Sequence, residues 1–279
     1  MKNNNQKKYK YILATVLIAA LFTTCAKNEA VQSLPKRDWT LVWSDEFNDK
    51  VVTKPNTSNW SYDIGTGTDG WGNQELQYYT DRLDVVSVAG DGNLKIVAKK
   101  ESLGGRDYIS GRIISKNKVT QQYGRIEARI KTPSGPGIWP AFWMLGQNID
   151  SVQWPNCGEI DILEQKGQQP NTILSSIHGA GYSGGNSITK SYSLMNDRFD
   201  NDFHVYAVEW YQDRLDFFVD DYLYHRIEKS TVLEKGTWSF DQPFYIILNL
   251  AVGGNLVGYP NVNTSFPQTM QIDYVRVYK

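Results

Sequence analysis

From Trp39 to Lys279 the chain is a succession of short runs rich in Val, Ile, Tyr, Phe and Trp, divided by Gly, Asn, Asp and Pro. WTLVWSDEF, NLKIVAKK, SGRIISK, GRIEARIK, IWPAFWML, EIDILEQ, ILSSIHG, FHVYAVEW, RLDFFVDD, YIILNLAVGG and MQIDYVRVYK are examples. Many alternate apolar and polar residues with period two, and few stretches keep helical spacing for even three turns. The pattern predicts an all-β fold. Turn residues in VAGDGNL and WYQDRLDFFVDDYLYHR predict hairpins. No segment repeats at a fixed period and no Pro/Ser-rich linker interrupts the run. One domain over residues 37–279 is therefore expected, and a two-sheet sandwich suits this length better than a small barrel. The clean alternation of QIDYVRVYK places the last strand inside a sheet.

The first residues follow another pattern. Lys2, Lys7, Lys8 and Lys10 precede an apolar stretch from Tyr11 to Phe22, too short to span a bilayer comfortably and shaped like a secretory signal peptide. Cys25 follows directly, where a bacterial lipoprotein signal places its acylated cysteine. The match to a lipobox is imperfect: Phe22 stands where Leu is expected, with Leu21 one position earlier and Thr24 just before Cys25. The expected organisation is a leader over 1–24, a polar tether over 25–36 and the β domain. A lipid anchor through Cys25 is the preferred reading, on the outer membrane and facing outward, with ordinary secretion as the rival. An acylated Cys25 leaves Cys157 without a partner, so no intramolecular disulfide is expected.

Composition narrows the partners. The whole chain of 279 residues has a formal charge of -1, but without the leader 25 basic side chains face 30 acidic ones. A mildly acidic domain with no basic tract argues against nucleic acid, whose phosphates require a clustered positive field. Nine Trp and 17 Tyr are more than such a domain ordinarily holds and call for a use.

The sharpest local feature is GEIDILEQ, residues 158 to 165. Period two puts Glu159 and Asp161 on one face, and Glu164 on the other unless one extra residue is taken up as a β-bulge between Asp161 and Glu164. With that bulge the outer glutamates are about 13 Å apart along the backbone, and inward-reaching side chains bring the carboxyls to about 5–6 Å, near the separation of a retaining glycosidase. Mutual repulsion raises the pKa of at least one acid. Spacing alone leaves a solvated acidic face as open as catalysis, with a cation site behind both. Trp139, Trp143 and Trp154 fall within sixteen positions, upstream of these acids, and the Gly and Pro around Trp139 and Trp154 predict loops or strand ends from which rings stand out. Trp mixed with carboxylates, Asn and Arg suits a polysaccharide, whose rings stack on aromatics. Core packing is an equal reading for Trp143.

Taken together, LVWSDEF, GTGTDGWGNQELQYYT, SGRIISK, YGRIEARIK, GIWPAFWML, WPNCGEIDILE, FHVYAVEW, FYIILNLAVGG and QIDYVRVYK resemble glycoside hydrolase family 16, and within it the bacterial laminarinase-like endo-β-1,3-glucanases. The resemblance runs from about Trp39 to Lys279. It implies a β-jelly-roll sandwich of two curved antiparallel sheets whose concave face forms a glycan cleft. It implies Glu159 as nucleophile, Glu164 as general acid/base and Asp161 as the assisting acid. Asn73, Arg112, Trp139, Trp143, Trp154 and His178 match sugar-contacting or site-lining positions. Catalysis is expected to need no cofactor. A structural calcium would be held through Glu46, Gly92 and Asp273, mostly by backbone oxygens, with the Asp273 carboxylate added. Cys157 is expected to be buried rather than nucleophilic, and His204 and His225 receive no role. The three histidines lack a short metal-ligand spacing, so a catalytic zinc is not expected. The implied activity is retaining endo-hydrolysis of β-1,3-glucans by a monomer. A mixed-linkage β-1,3-1,4-glucanase is the nearest rival, galactan-cleaving relatives are weaker ones, and a non-catalytic glycan binder would leave three repelling acids unexplained.

Overall fold

A backbone leaves water only when its amides and carbonyls are paired, and runs of alternating polarity achieve this as sheets with one dry face. The computed structural model describes residues 37–279 together with Gln32 and Leu34. The leader, Cys25 and the remainder of the tether lie outside the described residues. In chain order the strands are β1 (Leu41–Asp45), β2 (Ser61–Tyr62), β3 (Gln77–Tyr79), β4 (Val86–Val88), β5 (Leu94–Ala98), β6 (Tyr108–Ser110), β7 (Arg112–Ile114), β8 (Thr120–Gln121), β9 (Gly124–Lys131), β10 (Ile138–Gly146), β11 (Glu159–Glu164), β12 (Thr172–His178), β13 (Ile188–Ser193), β14 (His204–Trp210), β15 (Arg214–Val219), β16 (Tyr222–Glu228), β17 (Phe244–Val252) and β18 (Gln268–Tyr278). A short α-helix, α1 (Lys229–Leu233), follows β16.

Two large sheets result. The first runs β16-β15-β14-β9-β18-β5-β4, with β1 also paired to β18; the second runs β13-β12-β11-β10-β17-β7-β2, with β8 on β17. Their pairings are antiparallel, whereas β3 and β6 form a small parallel pair. The last strand lies inside its sheet, between β9 on one side and β5 and β1 on the other. Both predicted hairpins form. At the β15–β16 turn Asp220 (φ 49) and Asp221 (φ 64) are both left-handed, the geometry of a two-residue turn whose twist matches its strands.

Alternation now has a physical meaning. Ile126, Ala128 and Ile130 of β9 and Ile272, Val275 and Val277 of β18 bury against Phe142 and Met144 of β10 and Ile246 and Leu248 of β17. Truncating a ring as enclosed as Phe142 would cost about 3–5 kcal/mol. The opposite faces carry different chemistry. On the first sheet, Arg125, Glu127 and Glu209 form a buried ion cluster, joined by Arg37 and by the Trp39 indole, which donates to Glu209 at 3.2 Å. Thr40 and Lys279 exchange backbone bonds of 2.7 and 2.9 Å beside it. The outer face of the second sheet carries the acids.

Candidate active site

The expected bulge is present. Against β10, Asp161 faces Trp143 while Glu164 faces Ala141; against β12, Asp161 faces Ser176 while Glu164 faces Leu174. Ile162 and Leu163 therefore share the space of one partner residue, and both bury in the core with Ile160. Glu159, Asp161 and Glu164 are left together on the outer face. Gly158 makes the approach to this strand: at φ 77, an added Cβ would lie 2.8 Å from Phe244 Cζ and 2.9 Å from the Ser239 carbonyl.

Each glutamate is held by an indole. Trp154 Nε1 donates to Glu159 Oε2 at 2.8 Å, and Trp139 Nε1 donates to Glu164 Oε1 at 3.1 Å. His178 Nε2 lies 3.1 Å from Asp161 Oδ2 and 3.7 Å from Glu159 Oε1. Burial and the charge of Glu159 push Glu164 up to about 7, against smaller opposing effects of His178, Trp139 and Lys166. Asp161 is driven well above the usual carboxylate range by burial and by the charges of Glu159 and Glu164, with His178 opposing. Near neutral pH Glu164 thus still holds a proton for part of the time, and Asp161 binds its own more tightly than a free carboxyl does.

His178 is under two opposed influences. Burial disfavours its charge, but contact with Asp161 and the charges of the three acids outweigh that and pull it up to about 9. The Gly184 amide meanwhile donates to Nδ1 at 3.0 Å, which only an unprotonated nitrogen accepts. A doubly protonated ring would set one N–H against another, so this bond favours the neutral ring with its proton on Nε2, directed at Asp161. Glu159, Asp161 and His178 also present ligand atoms within 4.8 Å of one another, close enough to surround a cation. The Gly184 bond argues against that use, because a proton on Nε2 leaves no lone pair for a metal there.

The aromatic positions divide in a way the sequence did not indicate. Trp154 is 45% exposed and stands out as expected, but Trp139 is only 8% exposed. Its ring packs on Ala251 and Val257, and at Gly254, φ 120, an added Cβ would lie 3.1 Å from the ring, which leaves little room for a side chain. Gly and Pro next to Trp139 therefore mark the start of β10 rather than a free ring; only the indole edge reaches the acids. Trp143 is half-buried above Ile114, Leu145, Cys157, Tyr245 and Ile247, and its Nε1 donates to Asn249 Oδ1 at 2.7 Å. Arg112 is buried, with its guanidinium 4.5 Å from the Trp71 ring and 4.9 Å from the Trp143 ring, and its Nε 2.8 Å from Asp63 Oδ2. Asn73 lies in the turn Gly70–Gln74, where its carbonyl accepts from Asn255 at 2.8 Å.

Trp71, Asp63, Glu75, Gln77, Tyr79, Ser176 and Asn249 also line or brace this face and were not singled out from sequence. Asn249 had a readable signal, a lone amide in the apolar run YIILNLAV. His204 pairs with Asp220 at 2.7 Å on the other sheet, and His225 is buried with Ser175 Oγ 2.8 Å from its Nδ1. Cys157 is buried and its thiol is raised to about 11 by burial and by Glu159, as suits an inert packed cysteine. Glu46, Gly92 and Asp273 converge where β18 passes from β5 to β1: Glu46 follows β1, Gly92 precedes β5 and faces Asn48, and Asp273 sits at the register shift. A hard cation at these places would draw on main-chain oxygens. The side chains fit less well, since Asp273 accepts from Arg129 at 2.6 Å and Glu46 from Arg276 at 2.8 and 2.9 Å.

Residues 71–276 match the family model described as glycosyl hydrolases family 16. A β-glucanase of Rhodothermus marinus is 39% identical over 280 residues, covering 98% of this chain and 96% of that protein. The catalytic domain of an endo-1,3-β-glucanase (laminarinase) from Thermotoga petrophila superimposes with a TM-score of 0.83 at 46% identity, over 87% of this chain and 98% of that one. The laminarinase structure from Rhodothermus marinus gives a TM-score of 0.80 at 41% identity, over 87% and 98%.

Proposed function

The chain belongs to glycosyl hydrolases family 16, and from that premise we propose that it is a retaining endo-β-glucanase cutting internal β-1,3-glucosidic bonds of laminarin-type glucans. The observation that carries the mechanism is the contrast across one bulged strand. Glu164 is held protonated up to about pH 7, while Glu159, five residues away, has its carboxylate aimed by the Trp154 indole. Glu159 attacks the anomeric carbon and Glu164 gives its proton to the departing glycosidic oxygen. Glu164, now ionised, takes a proton from water, whose oxygen displaces Glu159 and restores both acids. Asp161, whose carboxyl holds its proton more tightly than a free one, assists Glu159 as charge moves on and off that carboxylate, and His178 steadies Asp161 from the far side. The two acids supply this chemistry without a cofactor. An uncharged polymer also suits a domain that offers no basic tract.

Product analysis on laminarin, lichenan, cellulose and agarose tests the reading, with Glu159→Gln and Glu164→Gln as controls and anomeric configuration followed by proton NMR. Laminarin cut internally with retention is expected, and both controls should lose at least about a hundredfold in kcat. Lichenan cut while laminarin stays intact would replace the reading with the mixed-linkage one. Inverted products would remove Glu159 as nucleophile, as would a Glu159→Gln variant as fast as wild type.

The order of basic leader, apolar run and Cys25 supports export as an acylated envelope protein with residues 25–36 as tether. Lipid labelling lost in Cys25→Ala is the expected result; unlabelled wild-type protein in the medium would show plain secretion. The protein works as a monomer, which light scattering of the purified domain tests. A structural calcium on the Glu46, Gly92 and Asp273 main chain would appear as a rise in Tm with added calcium that chelator reverses, and an unchanged Tm would dismiss it.

A further inference from the structure

Beneath the cleft lies a carboxylate that the acid cluster does not use. Glu75 is 5% exposed, and its Oε2 accepts from Gln77 Nε2 at 2.6 Å and from the Tyr79 hydroxyl at 3.1 Å. The Tyr79 oxygen in turn accepts from Asn249 Nδ2 at 3.1 Å, and Asn249 Oδ1 accepts from Trp143 Nε1 at 2.7 Å. The direction of every link is forced. An indole only donates, so Asn249 must turn its oxygen to Trp143 and its NH2 to Tyr79. Tyr79 must then pass its own proton towards Glu75. Gln77 is fixed likewise, because its Oε1 accepts from the Val252 amide at 2.8 Å and only its NH2 is left to face Glu75. Donors from two sides end on one oxygen, Oε2 of Glu75, which serves both as acceptor. Burial pushes Glu75 above the usual carboxylate range, and the bonds from Gln77, Tyr79 and Asn73 together with the charge of Arg112 offset that only in part.

We propose that Glu75 is a positioning residue for glucan binding: its Oε2 terminates a one-way hydrogen-bond chain that fixes the Trp143 indole, and with it the stacked Arg112 guanidinium, on the floor of the cleft. The proposal rests on the reading of Trp143 and Arg112 as sugar contacts. Glu75 touches neither the substrate nor the reacting acids, so its removal acts on binding before it acts on turnover.

Two variants test it. Glu75→Gln keeps the shape and replaces one carboxyl oxygen by an NH2 group; Tyr79→Phe keeps the carboxyl group and cuts the chain in its middle. The indole Nε1–H cross-peak of Trp143, identified by its loss in Trp143→Phe, reports the chain directly. Both variants should displace that cross-peak and raise KM for laminari-oligosaccharides about three- to tenfold, with kcat within about twofold of wild type. Should Glu75→Gln fail to fold, Tyr79→Phe decides alone. A cross-peak that stays in place, or a fall in kcat at constant KM that merely follows a lowered Tm, would overturn the proposal. Wild-type protein inert on both laminarin and lichenan would instead refute the proposed function. In that event a displaced cross-peak still upholds the chain to Trp143, and an unmoved one still removes it.

Discussion

Replacing Trp139 by Phe should move the alkaline limb of the pH–rate profile upward. The indole N–H donates to Glu164 Oε1 at 3.1 Å and so stabilises the ionised carboxylate. Phe keeps an aromatic ring against Ala251 and Val257 but offers no donor. Without the donor the charged form is less stable and the pKa of Glu164 rises from about 7. A hydrogen bond to a charged group contributes about 1.5–3 kcal/mol, and Glu164 keeps part of its surface open to the cleft, so the low end applies. At 1.36 kcal/mol per decade, the midpoint of the limb moves about one pH unit to the alkaline side. The sign follows from the role: a general acid works while protonated, and a higher pKa keeps it protonated to higher pH. The assay is kcat/KM on a soluble laminari-oligosaccharide across pH 5 to about 9.5, which reports the free enzyme. A carbon-13 titration of the Glu164 carboxyl should shift by the same amount. A limb that stays in place, or moves towards acid, would refute the assignment of Glu164 as the group that must be protonated.

Three further outcomes follow from the same structure. Gly158→Ala should lower stability by roughly 2 kcal/mol and reduce kcat, since a Cβ at φ 77 meets Phe244 and the Ser239 carbonyl next to Glu159; thermal melting and steady-state rates check both effects. Cys157 should resist a thiol reagent at pH 8 in the folded protein and react fully in denaturant, because the folded thiol is buried and raised to about 11. His225 should make the fold acid-sensitive: burial and the charge of Lys190 depress it to about 4, so the unfolded chain binds the extra proton. Its contribution is intact above about pH 6.5 and shrinks as pH falls towards 4, by up to roughly 3 kcal/mol, and His225→Gln should flatten that part of the stability curve measured by denaturant titration.

What could be read from residues alone was governed by distance along the chain. The period of two revealed the strands, because each needs only its own alternation, and the misplacement of Glu164 in a regular strand revealed the bulge before any partner strand was known. The exposure of Trp139 was misjudged because the loop over residues 253–258 that covers it arrives more than a hundred positions later. The chain from Glu75 through Tyr79 and Asn249 to Trp143 was invisible for the same reason: its links are adjacent only after β10 and β17 have paired. His178 lies seventeen positions after Asp161, and only the β11–β12 register sets it beside Glu159. Residue types announce what chemistry a position can do, whereas pairing decides with whom.

The backbone bonds between Thr40 and Lys279 give the domain a property useful beyond its chemistry. Residues 40 and 279 lie side by side on the first sheet, whereas the acids occupy the outer face of the second. A short linker joining those two positions would close the chain into a ring, and new ends could be opened at an exposed turn without disturbing the acid-bearing face. The same adjacency recommends either position for fusion to a solid support or a display scaffold, leaving the acid-bearing face turned towards bulk solvent and free to travel along an insoluble polymer.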